Sequence, residues 1–204
     1  MERPRGLAVC MLSLALVAAL HLPAVGAAAV ENGGFDDLYL GDSTVMYALP
    51  DVPGWTFTAN GGEAGILGVN ATGLWGVPAD GQCAAIYGGG TVSQAIADFV
   101  AGTTQFTFDV QGYARPEYGG PLTVKLDGVA LTFGGVATVA PASGPMVQYT
   151  SDPITVSAGS HTLEFVAGDW AFIDDVGVTN VPEPTCFALL ACGLIGALMR
   201  TRKS

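Results

Sequence analysis

Leu122-Thr-Val-Lys-Leu-Asp-Gly-Val-Ala-Leu-Thr-Phe133 decides the fold class of this chain. Leu122, Val124 and Leu126 alternate with Thr123 and Lys125, the two-residue period of a strand with one apolar and one polar face. Asp127-Gly128 tolerates the left-handed backbone that a two-residue hairpin loop requires, so Val129 to Phe133 is predicted as the returning strand. Thr104 to Val110 repeats the pattern upstream, with Phe106, Phe108 and Val110 set against Thr107 and Asp109. Further short strands are predicted at Trp55–Ala59, Ile66–Val69, Cys83–Tyr87, Thr91–Ile96, Val147–Thr150, Ile154–Val156, His161–Val166 and Phe172–Thr179. Glycine and proline punctuate these runs, and nothing between Glu31 and Asn180 sustains a helical period. About ten short strands in one domain predict an all-β architecture of two packed sheets.

The charge is lopsided. Between residues 30 and 180 sixteen Asp and Glu face only Arg115 and Lys125, a net charge of −14. That balance disfavours nucleic acid and anionic lipid as partners, whereas a divalent cation or a neutral sugar fits. Of four cysteines only Cys83 falls in this region, so no internal disulfide is available, and Cys83 reads as a small buried apolar residue.

Both ends read as targeting segments. Residues 1–29 carry Arg3 and Arg5, an apolar run from Leu7 to Leu20 and the small-residue stretch Gly26-Ala-Ala-Ala29, the layout of a cleaved secretory signal helix. At the other end Val181-Pro182-Glu183-Pro184 precedes fifteen uncharged residues, Thr185 to Met199, and then Arg200, Arg202 and Lys203. As a helix that run spans roughly 22 Å against a hydrocarbon core of about 30 Å, a short transmembrane helix that crosses marginally. The basic end stays in the cytoplasm by the positive-inside rule, which places residues 30–180 outside.

The order of Pro182-Glu183-Pro184, short apolar helix and basic terminus closely resembles the PEP-CTERM sorting signal of bacteria that make exopolysaccharide. The resemblance covers residues 181–204. It implies recognition and release by an exosortase-type membrane protease after passage through the export machinery. The implied location is transient inner-membrane anchoring, then the cell surface or extracellular matrix. An ordinary tail anchor behind a proline-rich linker is the alternative. Asn70-Ala-Thr72 fits a glycosylation sequon that a bacterium would not be expected to use.

Glu31-Asn-Gly-Gly-Phe-Asp36, Pro53-Gly-Trp55 and Phe172-Ile-Asp-Asp-Val176 together resemble the galactose-binding-like jelly-roll β-sandwich found in many carbohydrate-binding modules. That resemblance implies that the first and last strands lie close together and share one structural calcium, carried over to the Gly34 carbonyl, Asp36 and Asp174, with Asp175 less favoured. It also implies a packed interior position for Trp55. Alternation along the last strand independently places Phe172, Asp174, Val176 and Val178 on one face. If that face is the core, Asp174 is a buried carboxylate in need of a cation. Acceptance of backbone N–H bonds at a strand edge is the alternative.

Gly112-Tyr-Ala-Arg-Pro-Glu-Tyr-Gly119 offers the parts of a sugar site. Tyr113 and Tyr118 would stack on sugar rings, and Arg115 and Glu117 would hydrogen-bond to hydroxyls, the alternative being tyrosines that pack down as lids on the core. Trp75 and Trp170 are ambiguous between surface and plug. Catalysis has little support, because a Gly-x-Ser-x-Gly elbow, a phosphate loop and histidine-rich spacings are all missing, and His161 opens a strand with no nucleophile motif beside it. The expectation is therefore a non-catalytic exported protein that binds polysaccharide. Its rivals are a structural matrix or coat protein bridged by calcium and, less favoured, a glycan-active enzyme.

Overall fold

In the computed structural model, residues 27–38, 40, 45–47, 52–68, 81–113 and 120–182 are described. Twelve strands form among them: β1 (Val45–Tyr47), β2 (Thr56–Thr58), β3 (Glu63–Leu67), β4 (Cys83–Tyr87), β5 (Thr91–Phe99), β6 (Gly102–Gly112), β7 (Leu122–Leu126), β8 (Val129–Ala130), β9 (Val147–Thr150), β10 (Ile154–Val156), β11 (Gly159–Ala167) and β12 (Ala171–Pro182). They build two antiparallel sheets. The first runs β1-β3-β4-β12-β6-β10 with β9 also paired to β6, and the second runs β2-β5-β11-β7-β8. This is the expected all-β sandwich.

The hairpin that decided the class is present, with Asp127 (φ 50°) and Gly128 (φ 79°) both left-handed and Leu126 paired to Val129. Its returning strand is shorter than expected. It ends at Ala130, because Gly134 and Gly135 turn the chain away and Asp152 captures it. The Asp152 carboxylate accepts hydrogen bonds from Thr132 Oγ1 (2.6 Å), Gly134 N (3.0 Å) and Gly135 N (2.8 Å). The three-residue β1 has no counterpart among the expected strands.

Alternation delivers the core between the sheets. Phe106, Phe108, Val110, Ala84, Ile86, Ala171 and Ile173 enter from the first sheet, and Val92, Ile96, Leu163, Phe165, Leu122 and Val124 from the second. Phe108 sits edge-on to Phe165 at 5.2 Å and to Phe133 at 5.5 Å. Each fully buried aromatic or aliphatic side chain contributes about 1.5–3 kcal/mol, which is how the domain holds together without a disulfide. Trp55 packs inside, 4.9 Å from Phe35, as expected. Ala28, just before the expected cleavage point, is also packed in this core.

A second cluster lies on the outer face of the first sheet, made of Leu67, Cys83, Ala85, Trp170 and Phe172, with Tyr87, Tyr113 and Met146 packed against it. Among the described residues no helix is long and apolar enough to cross a membrane. The signal segment up to residue 26, the sorting residues Glu183, Pro184, Arg200, Arg202 and Lys203 with their apolar run, Trp75, the Asn70 sequon and Arg115, Glu117 and Tyr118 lie outside the described residues. Pro182 ends β12, opposite Gly102.

Candidate functional site: the acidic cavity and aromatic row on the outer face

The face of Asp174 has to be corrected. Ala171 and Ile173 point between the sheets, so Phe172 and Asp174 point outward, opposite Gln111 and Asp109 of β6. The single-face series Phe172, Asp174, Val176, Val178 is broken by a bulge. From Asp174 to Gly177 the strand takes three steps while β6 takes two from Asp109 to Thr107, and Asp175 adopts φ 46°. The extra residue resets the parity, and Val176 and Val178 turn inward. Asp174 is thus half-buried beneath the outer face and is not a core residue.

The N-terminal segment is brought against this bulge. Val176 N donates to Gly33 O (3.0 Å), and a Cβ at Gly33 would collide with the Val176 carbonyl, so only glycine allows the approach. Two buried glutamines, one from each sheet, hold the segment down. Gln82, ahead of β4, donates through Nε2 to Phe35 O (3.0 Å) and Leu38 O (2.7 Å), and its Oε1 accepts from Leu40 N (2.7 Å). Gln94 of β5 exchanges a reciprocal pair of 2.8 Å bonds with the Glu31 backbone. Trp55 Nε1 donates to Asn32 O at 2.9 Å. The first and last parts of the domain therefore meet.

Their meeting gathers carboxylates. Asp36, Asp109, Asp174 and Asp175, with Gly81, Pro145 and Met146, line a cavity of about 250 Å³. A Cβ at Gly34 would stand 3.3 Å from Asp36 Oδ2 and 3.8 Å from Oδ1 of both Asp174 and Asp175, so three carboxylates converge on Gly34. Asp175, set aside by simple alternation, joins them because of the bulge. Asp109 was missed, although its place opposite Asp174 in the register is what brings it in.

Electrostatics make this cluster uncomfortable. Burial, then the charges of Asp175, Asp36 and Asp109, push the Asp174 carboxyl up to about 7, against a 2.8 Å hydrogen bond from Asp175 N that pulls it down. Oδ1 of Asp109 is buried and has no hydrogen-bond partner among the described residues. Lys125, the one Lys or Arg among them, pairs with Glu164 (3.2 Å). Beneath the cavity, burial and the Asp174 charge push the Cys83 thiol far up, which keeps it inert. No three acidic, Cys or His side chains among the described residues are already drawn in around a single point as a metal group. The charged donors of the lining, four carboxylates of which one oxygen is orphaned, nonetheless suit calcium.

Further along the same face lies a row of rings. Trp170 stacks on Tyr87 (4.8 Å, 24°) and on Phe172 (5.9 Å, 10°), and Tyr113 leans on it (6.3 Å, 34°). Tyr113 thus packs down against its neighbours, the lid-like alternative, while remaining half-buried. Trp170 is a plug, 8% exposed.

His161 was expected to open its strand, but β11 begins two residues earlier at Gly159, and the histidine is not idle. Its Nδ1 meets Asp127 Oδ2 at 2.6 Å, and its Nε2 lies nearer the Ser157 carbonyl (3.0 Å) than the Ser157 hydroxyl (3.4 Å). With Nε2–H donated to a carbonyl, the ring is placed as a charged donor and not as a base for the serine.

No family model matches the chain, and no curated protein does. Several solved structures are similar to it in fold. The structure of TmCBM61 in complex with β-1,4-galactotriose aligns at TM-score 0.49 and 18% identity, covering 74% of this chain and 97% of the other. The CBM22-1 xylan-binding domain from Paenibacillus barcinonensis aligns at 0.46 and 11% identity over 74% and 93%. A family 35 carbohydrate binding module from Clostridium thermocellum aligns at 0.45 and 12% over 62% and 92%. The sandwich itself is established by the strand pairing within this chain.

Proposed function

We propose that the chain is an exported, non-catalytic module that binds neutral polysaccharide on the outer face of its first sheet, braced by one structural calcium. The observation that carries the reading is the aromatic row, in which half-buried Tyr87 and Tyr113 flank Trp170 at one end of that face. Sugar rings stack on such surfaces, with polar groups beside them to orient the hydroxyls. The strongly acidic composition disfavours anionic polymers and leaves neutral glycans. A shared fold hosts many functions, so the assignment rests on the face and not on the architecture.

Calcium would be held by Asp36, Asp109, Asp174 and Asp175 with the Gly34 carbonyl. When bound, it would supply the positive charge that the cluster lacks and tie the N-terminal segment to the bulge of β12. The chain's own part is to present these oxygens and keep Cys83 protonated below them. Pro182-Glu183-Pro184, the apolar run and Arg200, Arg202 and Lys203 would direct delivery through an exosortase-type protease.

Affinity electrophoresis in xylan, galactomannan and β-1,4-galactan gels tests the binding. Retardation in at least one gel, lost in Tyr87→Ala/Tyr113→Ala, is expected; free migration in all three overturns the proposal. The calcium-bridged coat protein is the second reading, favoured by the exposed position of Asp175 at the cavity. Sedimentation would then show calcium-dependent assembly in place of glycan binding.

A further inference from the structure

We propose that His161 is a proton-operated clasp that pins the short β10–β11 crossing, where the chain passes from the first sheet to the second, and loosens it when it loses its proton. At this edge β10, the last strand of the first sheet, faces β8, the last strand of the second. Between them runs a groove of about 460 Å³, lined by Leu126, Val129, Leu131, Ile154 and Val156, with Asp127, Ser157 and His161 at its rim. Strand pairing cannot close a gap between two different sheets. Here the chain itself crosses from β10 to β11 through Ser157 and Ala158, and side chains must brace that crossing.

The clasp is built for a doubly protonated ring. Asp127 sits in the β7–β8 turn of the second sheet, and Ser157 in the crossing from β10 to β11 four residues before His161, so one imidazole ties that crossing to the hairpin turn. Its two nitrogens face a carboxylate oxygen and a carbonyl oxygen, acceptors that only an imidazolium satisfies together. The ring is 11% exposed and rests edge-on against Phe99 of β5 (5.1 Å, 88°). The other Asp127 oxygen accepts from Thr162 N (2.8 Å), which fixes the carboxylate in place.

The charged group acting on the ring is Asp127. β5 presents the uncharged Phe99, with Asp98 exposed beside it, and the β10–β11 turn presents the uncharged Ser157. The hydrogen bonds to Asp127 and to the Ser157 carbonyl hold His161 above its ordinary 6.5, against a small opposing effect of burial. The bonds from His161 and Thr162 N hold Asp127 below its ordinary value. Because the folded value of His161 is raised, its stabilisation is full below 6.5 and is lost as pH rises through the raised value. The proton that leaves is the one on Nε2, since the carboxylate keeps Nδ1–H. A lone pair then faces the Ser157 carbonyl, and only the longer contact with the Ser157 hydroxyl remains. The bond that fails is therefore the one that holds the crossing from the first sheet to the second.

Two independent measurements on the full chain test this. Nuclear magnetic resonance titration, with His161 assigned through His161→Gln, is expected to place its pKa above 6.5, and Asp127→Asn should lower it. Hydrogen exchange between pH 5.5 and 9, corrected for the intrinsic rate, should show protection of residues 126–131 and 154–158 falling through that pKa. Linkage sets the size at about tenfold for each unit by which the pKa exceeds 6.5. His161→Gln should show no such step. A pKa at or below 6.5, unchanged protection in the wild type, or an equal step in His161→Gln would each overturn the clasp.

Discussion

Replacing Gln82 with alanine removes the clamp between the first sheet and the segment that carries Asp36. Three backbone groups lose their partner: the Phe35 and Leu38 carbonyls and the Leu40 N–H. An unsatisfied buried polar group costs about 1–3 kcal/mol. The bond to Phe35 O is fully buried and the other two are partly exposed, so water recovers part of the loss, and the sum comes to roughly 3–5 kcal/mol. That is a large share of the 5–15 kcal/mol or so by which a domain is stable. Urea unfolding followed by tryptophan fluorescence measures it. Gln82→Glu sharpens the test, because a carboxylate would face two carbonyl oxygens. At pH 7 the order of stability should be Gln, then Ala, then Glu, with Glu recovering on acidification as its protonated form donates one hydrogen bond. An alanine variant within about 0.5 kcal/mol of wild type, which is ordinary surface behaviour, would refute the reasoning, as would a glutamate variant equal to glutamine.

The remaining predictions follow from the same face and its supports. Without calcium, the raised value of Asp174 means that its ionisation opposes folding, so melting temperature should fall as pH rises from about 4 through 7. His161 adds a loss of the same sign above 6.5, so the comparison is with Asp174→Asn, in which the acidic part of the slope should flatten. Added calcium should raise the melting temperature of the wild type and leave Asp174→Asn unmoved, as differential scanning fluorimetry would show. Gly33→Ala drives a methyl group into the Val176 carbonyl and should cost about 1–3 kcal/mol in urea unfolding. Asp152→Ala should raise hydrogen exchange in residues 132–136, leaving the core strands protected.

Strand bounds were readable for β4, β7, β9 and β10, but the two-residue period that burial enforces is clean only in β7: β4 is buried on both faces and β9 is largely exposed. Glu31-Asn-Gly-Gly-Phe-Asp36 and Phe172-Ile-Asp-Asp-Val176 were readable as partners, and they do meet, through Gly33 and Val176. What alternation could not supply was the register shift within β12. A bulge is set by tertiary pairing with β6 and leaves no periodic mark, so Asp174 was grouped on one face with Val176 and Val178, and Asp175 was expected to face away from it. Gln82 and Gln94 passed unnoticed because an amide declares its role only through the carbonyls it meets. Asp109 looked like an ordinary outward residue until its neighbour across the strand was known. The pairing of Asp127 and His161, 34 residues apart, depends on how two turns are brought together.

A strand that carries an odd extra residue can serve two interiors from one run of sequence. Before the insertion at Asp175, β12 lends its even-numbered side chains to the outer layer, and after it lends them to the inner one. Deleting that residue would leave the composition of the strand almost unchanged. Yet it would also restore an unbroken pairing, with Val176 opposite Phe108 and Gly177 still opposite Thr107, so that every later side chain kept its present face and only the Asp175 carboxylate left the cavity.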